Sequence, residues 1–314
     1  MSSVRPGPTR RPIAVLCADL HLSLTPPPAR AGEKNWIGAM ARPLREINIA
    51  ATEANVPIIC AGDVFDRWNA PVELVNIAAG LMPSTRVFSI PGQHDLPLHN
   101  LSDLKRSAYW TLCMMNALTT MDLRSGNTLS QDGADMEIFF VPWGEEITPA
   151  PEDGRVHVLV THRYIWAEGV SYPGADESGH VKSLSKALKG YAVAVFGDNH
   201  KGFTSTTPDG TVVFNCGGMM RRKSDEADYR PGYGMLFSDG TVERRYFDTS
   251  KDVFTPVTES SPLLTTGSFD KFLSSLSELQ KTVPDFPTVL RRLSERPTTP
   301  DGVRKVIQEV LENA

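Results

Sequence analysis

Five short polar segments between residues 19 and 200 each carry acidic, histidine or amide side chains, and each follows an apolar run. They are Asp19-Leu20-His21, Gly62-Asp63-Val64-Phe65-Asp66-Arg67, Gly92-Gln93-His94-Asp95, Thr161-His162 and Gly197-Asp198-Asn199-His200. The runs before them are IAVLCA, VPIICA, RVFSIP, VHVLV and YAVAVF, stretches of strand length. Ligands arriving one strand end at a time are how an α/β sheet builds a metal site along one edge. A D-x-H or a G-D alone is mostly accident, and a lone histidine after a strand is usually structural. Their joint, ordered occurrence is what constrains the fold.

The sequence between the segments fits that frame. Trp36–Asn55 has helical periodicity with Ile37, Met40, Leu44, Ile47 and Ala51 on one face, and Val72–Met82 and Leu101–Leu118 also read as helices. Alternating strands and helices predict a mainly parallel sheet with right-handed crossovers. The second half is richer in strands, at Glu137–Val141, Val156–Val160, Ala192–Phe196, Thr211–Asn215 and Gly234–Phe237. Pro208-Asp209-Gly210 and Ser238-Asp239-Gly240-Thr241 supply hairpin turns. The expected class is α/β: a four-layer α-β-β-α sandwich of two mixed sheets flanked by helices, with a short helical C-terminal extension. The expected divisions are a flexible tail at 1–12, a catalytic domain at 13–248 and the extension at 249–314. In that extension Ser268–Lys281, Thr288–Glu295 and Asp301–Glu312 read as helices. The last carries an apolar stripe of Val303, Val306, Ile307, Val310 and Leu311, suited to core packing or to docking a partner.

Bulk composition excludes some classes. A net charge of −5 gives no global basic footprint for nucleic acid, although a local patch remains allowed. No apolar run approaches the roughly 20 residues of a membrane span, and the N-terminal residues read as a tail, not a signal peptide. Cys17, Cys60, Cys113 and Cys216 show no C-x-x-C pairing, which favours free thiols and a cytoplasmic setting.

On a strand, residues i and i+2 face the same way, so Asp19 and His21 are expected to grip one ion together. Asp63, at the neighbouring strand end, has two oxygens with which to bridge two ions. Such a pair holds and acidifies a water and clamps a phosphate ester. His94 suits protonation of the leaving oxygen, with Asp95 orienting its ring. His99, His157 and His180 lie outside the segments and default to structural roles.

The ordered set resembles the calcineurin-like metallophosphoesterases, whose pattern runs D-x-H, G-D-x-x-D-R, G-N-H-D, H, G-H-x-H. The resemblance covers roughly Ile13 to Phe247. The wording of the first two segments, and Phe214–Arg222, look most like the SbcD-type DNA-repair nuclease branch, which includes its meiotic-recombination relatives and phage counterparts. The resemblance implies that Asp19, His21 and His200 hold metal one, that Asp63 bridges, and that Gln93, His162 and Asp198 complete metal two. It implies catalysis by His94 with Asp95, and two divalent ions, Mn(II) first and Mg(II) second. Two positions depart from the pattern: Gln93 replaces an asparagine and Asp198 a histidine. A carboxylate in place of an imidazole makes metal two harder, favouring manganese or magnesium over zinc.

DNA is the substrate this branch implies, and Arg67 and Arg221 are the expected substrate contacts, with Arg163, Lys201, Arg222 and Lys223 nearby. Trp68, Tyr164 and Trp166 are candidates to stack on bases, and loops Ser23–Lys34 and Glu168–Gly179 to border the cleft. The acidic balance fits better a phosphatase or phosphodiesterase acting on small nucleotides or phosphoproteins. A third reading is a mainly docking subunit for an SbcC-type coiled-coil ATPase, and a homodimer is also expected as an option.

Overall fold

The computed structural model describes residues 10–121, 136–171 and 175–255, together with Ser294, Arg304, Ile307, Gln308 and Leu311. The chain forms two compact units, Met1–Thr255 and Pro256–Ala314. Those five positions of the second unit are helical. The rest of the three helices expected there, and of the apolar stripe, lies outside the described residues, as do residues 1–9.

In the first unit the strands are β1 (Pro12–Cys17), β2 (Ile58–Cys60), β3 (Val87–Ser89), β4 (Thr119–Thr120), β5 (Met136–Val141) and β6 (Val156–His162). They continue with β7 (Val193–Gly197), β8 (Phe203–Thr206), β9 (Val212–Asn215), β10 (Gly232–Phe237) and β11 (Val242–Tyr246). They form two mixed sheets, in the orders β11-β10-β1-β2-β3-β4 and β5-β6-β7-β9-β8. Strands β1 to β4 run parallel, as do β5, β6, β7 and β9, while β10, β11 and β8 add antiparallel neighbours. Both predicted hairpin turns are in place: Thr207 and Thr211 close one between β8 and β9, and Phe237 and Thr241 the other between β10 and β11.

The period-two alternation decides which side chain faces which layer. Leu16, Ala18, Ile59 and Ala61 pack between the sheets against Val158, Val160, Val193 and Val195. Val15, Cys17, Ile58 and Cys60 face the other way, toward the helices α1 (Trp36–Ala54), α2 (Val72–Leu81) and α3 (Ala108–Met114). Parallel strands covered on both faces are continuous in hydrophobicity, which is why they read as unbroken apolar runs. On the outer face of the second sheet, Leu159, Ala194 and Phe196 are covered by the segment through Ile147 and Ala150 and by 3₁₀ turns at Glu177–Gly179 and Val181–Leu184.

Helix α1 has its expected span. Asn35 caps its first turn by accepting from Gly38 N–H at 2.8 Å, and Asn55 ends it in the left-handed region at φ 52°. The helix expected at Leu101–Leu118 is broken instead into a 3₁₀ segment, Leu101–Arg106, and the short α3. Ser107 causes the break: its backbone is extended (φ −102°, ψ 159°) and its hydroxyl caps α3 by accepting from Trp110 N–H at 3.1 Å. The expected tail is also shorter than 1–12, because Arg10 pairs with Glu243 at 2.7 Å and Arg11 bonds Ser238.

Candidate metal centre

The loops after β1 and β2 are zipped together where the two strands end. Asp19 N–H donates to the Gly62 carbonyl, His21 N–H to that of Asp63, and Leu22 N–H to that of Val64. The strand pattern expected to align Asp19 with His21 stops before them, since β1 ends at Cys17. Both residues adopt positive φ instead (52° and 43°), as do Asp63 (54°) and Asp198 (81°). Such backbone is uncommon in residues with a Cβ and costs on the order of 1 kcal/mol each. Its concentration in four of the expected ligands marks a site held open by its surroundings. Gly62, at φ 98°, and Gly92 make room for it: a Cβ on Gly62 would strike the His162 ring, and one on Gly92 the Asp63 carboxylate.

The structure brings the expected ligands into one cluster. His21 Nε2 lies 3.0 Å from His200 Nε2, 3.7 Å from Asp63 Oδ2 and 3.9 Å from Asp19 Oδ1. Two imidazole nitrogens at about 3 Å are spaced as adjacent ligands of one ion with bonds near 2.1 Å. Across Asp63, His162 Nε2 sits 3.3 Å from the same Oδ2. Asp63 Oδ2, His162 Nε2 and the Gln93 carbonyl oxygen Oε1 are all buried without a hydrogen-bond partner. Buried polar atoms are rarely left so. Asp63 Oδ2 and His162 Nε2 have only each other at 3.3 Å and Gln93 Oε1 has no partner, an arrangement of three ligand atoms on three segments that fits a divalent cation.

Gln93 and Asp198, the two departures from the family pattern, hydrogen-bond each other. The Gln93 amide Nε2 donates to Asp198 Oδ1 at 2.7 Å, which leaves Oε1 as the amide's unpaired end. The Asp198 backbone N–H in turn donates to both oxygens of Asp19, at 3.1 Å each. One residue therefore holds a group in each half of the centre.

Electrostatics agree with a site that requires positive charge. Burial lowers the His162 pKa, but Asp63 beside it, then Asp19 and Asp198, outweigh burial and hold it well above the usual range. Burial raises the Asp63 carboxyl, yet His162, His21 and His94 bring it below the ordinary carboxylate range. Burial lifts Asp19 to about 6, against the opposing pull of His162 and His200. It also drives His21 well below its usual value, with His200, Arg222 and His94 adding to the effect against Asp63.

The roles expected of Asp95 and Arg221 are corrected. Asp95 does not orient His94. Its oxygens accept the N–H groups of Val64, Phe65 and Gly92 at 3.0 to 3.2 Å, so it clamps the β2 and β3 loops together. Burial and the nearby Asp63 raise its pKa to about 7 against those three amides. The His94 ring is instead fixed by Nδ1 bonding to the Asp66 carbonyl at 2.9 Å, with Nε2 4.0 Å from Asp63 Oδ2. The His94 side chain is 45% exposed and opens to the cleft.

Arg221 turns away from the centre. Its guanidinium bonds Asp252 and the Ala227 and Thr249 carbonyls, and stacks on Phe254. Its neighbour Arg222 takes the place beside the site, with Nη1 on the His21 carbonyl at 2.5 Å and Nη2 on Asp66 Oδ1 at 2.7 Å. Arg67 lies exposed on the surface next to Asp66. Adjacent basic residues in a loop give no signal of which one points inward. Glu226 was also illegible: it accepts from Arg222 and Lys223 N–H and stands 3.7 Å from His200 Nδ1. Of the three stacking candidates, Tyr164 lines the cleft. Trp166 is occupied, its indole donating to the Asp176 carbonyl and its ring edge-on to His180, and Trp68 is half-buried beside Ala108. Loops 23–34 and 168–179 do border the cleft, through Pro27–Ala29 and through Val170, Ser171, Asp176 and Ser178.

Residues 14–202 match the family model described as calcineurin-like phosphoesterase. The chain belongs to that family and is a metal-dependent phosphoesterase. Members of the family typically bind two divalent metal ions. Among solved structures, a dimetal phosphatase from Danio rerio shares 10% identity at a TM-score of 0.47, over 75% of this chain and 96% of its own. A hypothetical protein from Pyrococcus horikoshii OT3 shares 12% identity at a TM-score of 0.37, over 94% of this chain and 96% of its own. No curated protein matches the chain. Among the described residues, no helix is long and apolar enough to cross a membrane.

Proposed function

We propose that the chain is a Mn(II)-dependent phosphodiesterase of the SbcD type, cutting DNA as an exo- or endonuclease. One observation carries this reading: three clefts adjoin at the centre and share lining residues. One is lined by Trp143, Arg163 and Tyr164 beside His162 and Asp198. The next shares Tyr164 and Asp198 and adds Lys201 and Lys223. The third shares His94, His200 and Lys223 and reaches Pro27–Ala29 and Arg222. Several adjoining clefts at one centre suit an ester with a chain on each side of the phosphorus, and the basic side chains Arg163, Lys201 and Lys223 suit a polyanion.

Asp19, His21, Asp63 and His200 would hold one ion and Asp63, Gln93 and His162 the other, with Asp198 steadying Gln93. Two divalent ions held there would supply an acidified water and a polarised phosphate. His94 supplies the proton for the departing oxygen from Nε2. The Asp66 carbonyl, accepting from Nδ1–H at 2.9 Å, fixes the ring and leaves Nε2 as its other nitrogen. Arg222 holds the His21 backbone and Asp66 together, so both rings keep their places.

The acidic residues Glu145, Asp176 and Asp225 on the cleft walls support a second reading, hydrolysis of small nucleotide esters. An SbcC-type ATPase docked through residues 256–314, a homodimer and a cytoplasmic setting, which the free cysteines suit, complete the proposal. The test is a panel of linear single- and double-stranded DNA, cyclic nucleotides and aryl phosphates with Mn(II), Mg(II) or chelator, against the His94→Ala protein. Mn(II)-dependent DNA cleavage lost in that variant is expected. Turnover of the small esters alone, with DNA intact, refutes the nuclease reading.

A further inference from the structure

On the metal-two flank, the cleft next to His162 and Asp198 has a volume of about 430 Å³ and contains two aromatic residues, Trp143 and Tyr164. The hydrolytic chemistry uses neither. Both are set by backbone relative to the metal-two ligands. Tyr164 stands two residues beyond His162, where β6 ends. Trp143 N–H donates to the Pro91 carbonyl at 3.3 Å, which ties it to the segment carrying Gln93. Glu145, Thr161, Arg163, Asp176 and Ser178 supply the other polar side chains of the lining. Trp143 also has an indole N–H that is buried without a hydrogen-bond partner, a donor that the protein itself does not satisfy.

Two aromatic side chains, a guanidinium, two carboxylates and two hydroxyls within one cleft are the chemistry of a nucleobase site. Every base has a π face for an aromatic ring, and its edges take hydrogen bonds from groups of these kinds. The cleft adjoins the centre, so a base there would belong to the nucleotide bearing the scissile phosphate or to the next one.

We propose that Trp143 and Tyr164 form a nucleobase subsite on the metal-two flank, holding a base while its phosphate lies at the metal centre. This rests on reading the substrate as a nucleotide ester. It assigns substrate selection to Trp143, which no ligand motif includes, and it makes base-bearing esters the preferred class.

The test is binding without turnover. Full-length His94→Ala protein loaded with Mn(II) is titrated by calorimetry with dAMP and with 2-deoxyribose 5-phosphate, the same phosphate without its base. The dAMP should bind about five- to a hundredfold tighter, the range that one stacked base contributes. Adding Trp143→Ala should remove most of that preference, and Trp143→Phe should restore it. Equal affinity for the two ligands in the parent overturns the subsite. So does a preference that survives Trp143→Ala and Tyr164→Ala together. Failure of the nuclease reading looks different: DNA stays uncut, yet the dAMP preference and its loss in Trp143→Ala remain, which supports the subsite on a nucleotide esterase.

Discussion

The two halves of the metal centre are built to different rules. The half expected to hold metal one keeps the family pattern at every position, with Asp19, His21 and His200 gathered near Asp63. Groups behind it brace its histidines: Arg222 on the His21 carbonyl, Asp66 3.7 Å from His21 Nδ1, and Glu226 near His200. The metal-two half departs at two positions, Gln93 and Asp198, and joins them by a 2.7 Å hydrogen bond. Either change alone would damage the site. A glutamine in the asparagine place has one methylene too many and a carbonyl free to swing. A carboxylate in the histidine place is shorter and negative. Together the carboxylate catches the amide's N–H₂ end, and the carbonyl end is left facing no other partner. A ligand set can therefore drift in pairs where the drifting residues hold each other.

The largest effect should come from the residue shared by both halves. Asp63→Asn removes the charge that two histidines and two ions rely on, and elemental analysis should find bound metal falling from two ions toward none. Activity should fall to background. One ion retained at full affinity would mean that the halves do not depend on the bridge. Next is His94→Ala, which should lower kcat by about 10²–10⁴ while both ions stay bound, as expected for loss of a general acid. Loss of metal in that variant would recast His94 as a ligand.

The pairing of Gln93 with Asp198 is tested by a cycle. Asp198→Ala should weaken the second ion by about 10–100-fold, the usual effect of losing a residue that orients a ligand, and leave the first ion in place. Gln93→Asn and Asp198→His should each impair metal two alone and recover it when combined. Recovery would also shift preference toward zinc, since it brings an additional imidazole to the second ion. Strict additivity of the two changes would show that the bond between them does not matter.

Much of this was legible in the sequence because strand ends place ligands by chain order alone. Every apolar run that preceded a segment became a parallel strand, and the two sheets follow from that alternation. What the sequence withheld are choices made by packing. The short β4, β8 and β11 are paired by their neighbours, and their mostly polar residues, half-buried or exposed, form no apolar run to mark them. Ser107 can cap a helix or sit inside one, and only the tertiary fold chose the cap. Asp95 beside His94 suggested a dyad, yet two amides from the β2 loop and one from its own segment claim its oxygens. Arg221 and Arg222 differ by one position and point to different places, which no local rule distinguishes.

That last pair gives the smallest predicted effect and the finest test of the metal-one half. Arg222 reaches the site with a fork, one nitrogen on a backbone carbonyl and one on a carboxylate, whereas lysine offers a single charged point. Arg222→Lys should therefore lose most of what Arg222→Ala loses, roughly tenfold in affinity for the first ion, by analogy with other residues that orient ligands. The second ion should be held as before, because Gln93 and His162 take no support from this arginine. Arg221→Ala should instead lower thermal stability by about 1–3 kcal/mol through its Asp252 and carbonyl partners, with metal affinity unchanged. Should Arg221→Ala weaken metal one as much as Arg222→Ala does, the bracing of that half would have to run through the whole 221–226 turn, and the division drawn between the two arginines would fall.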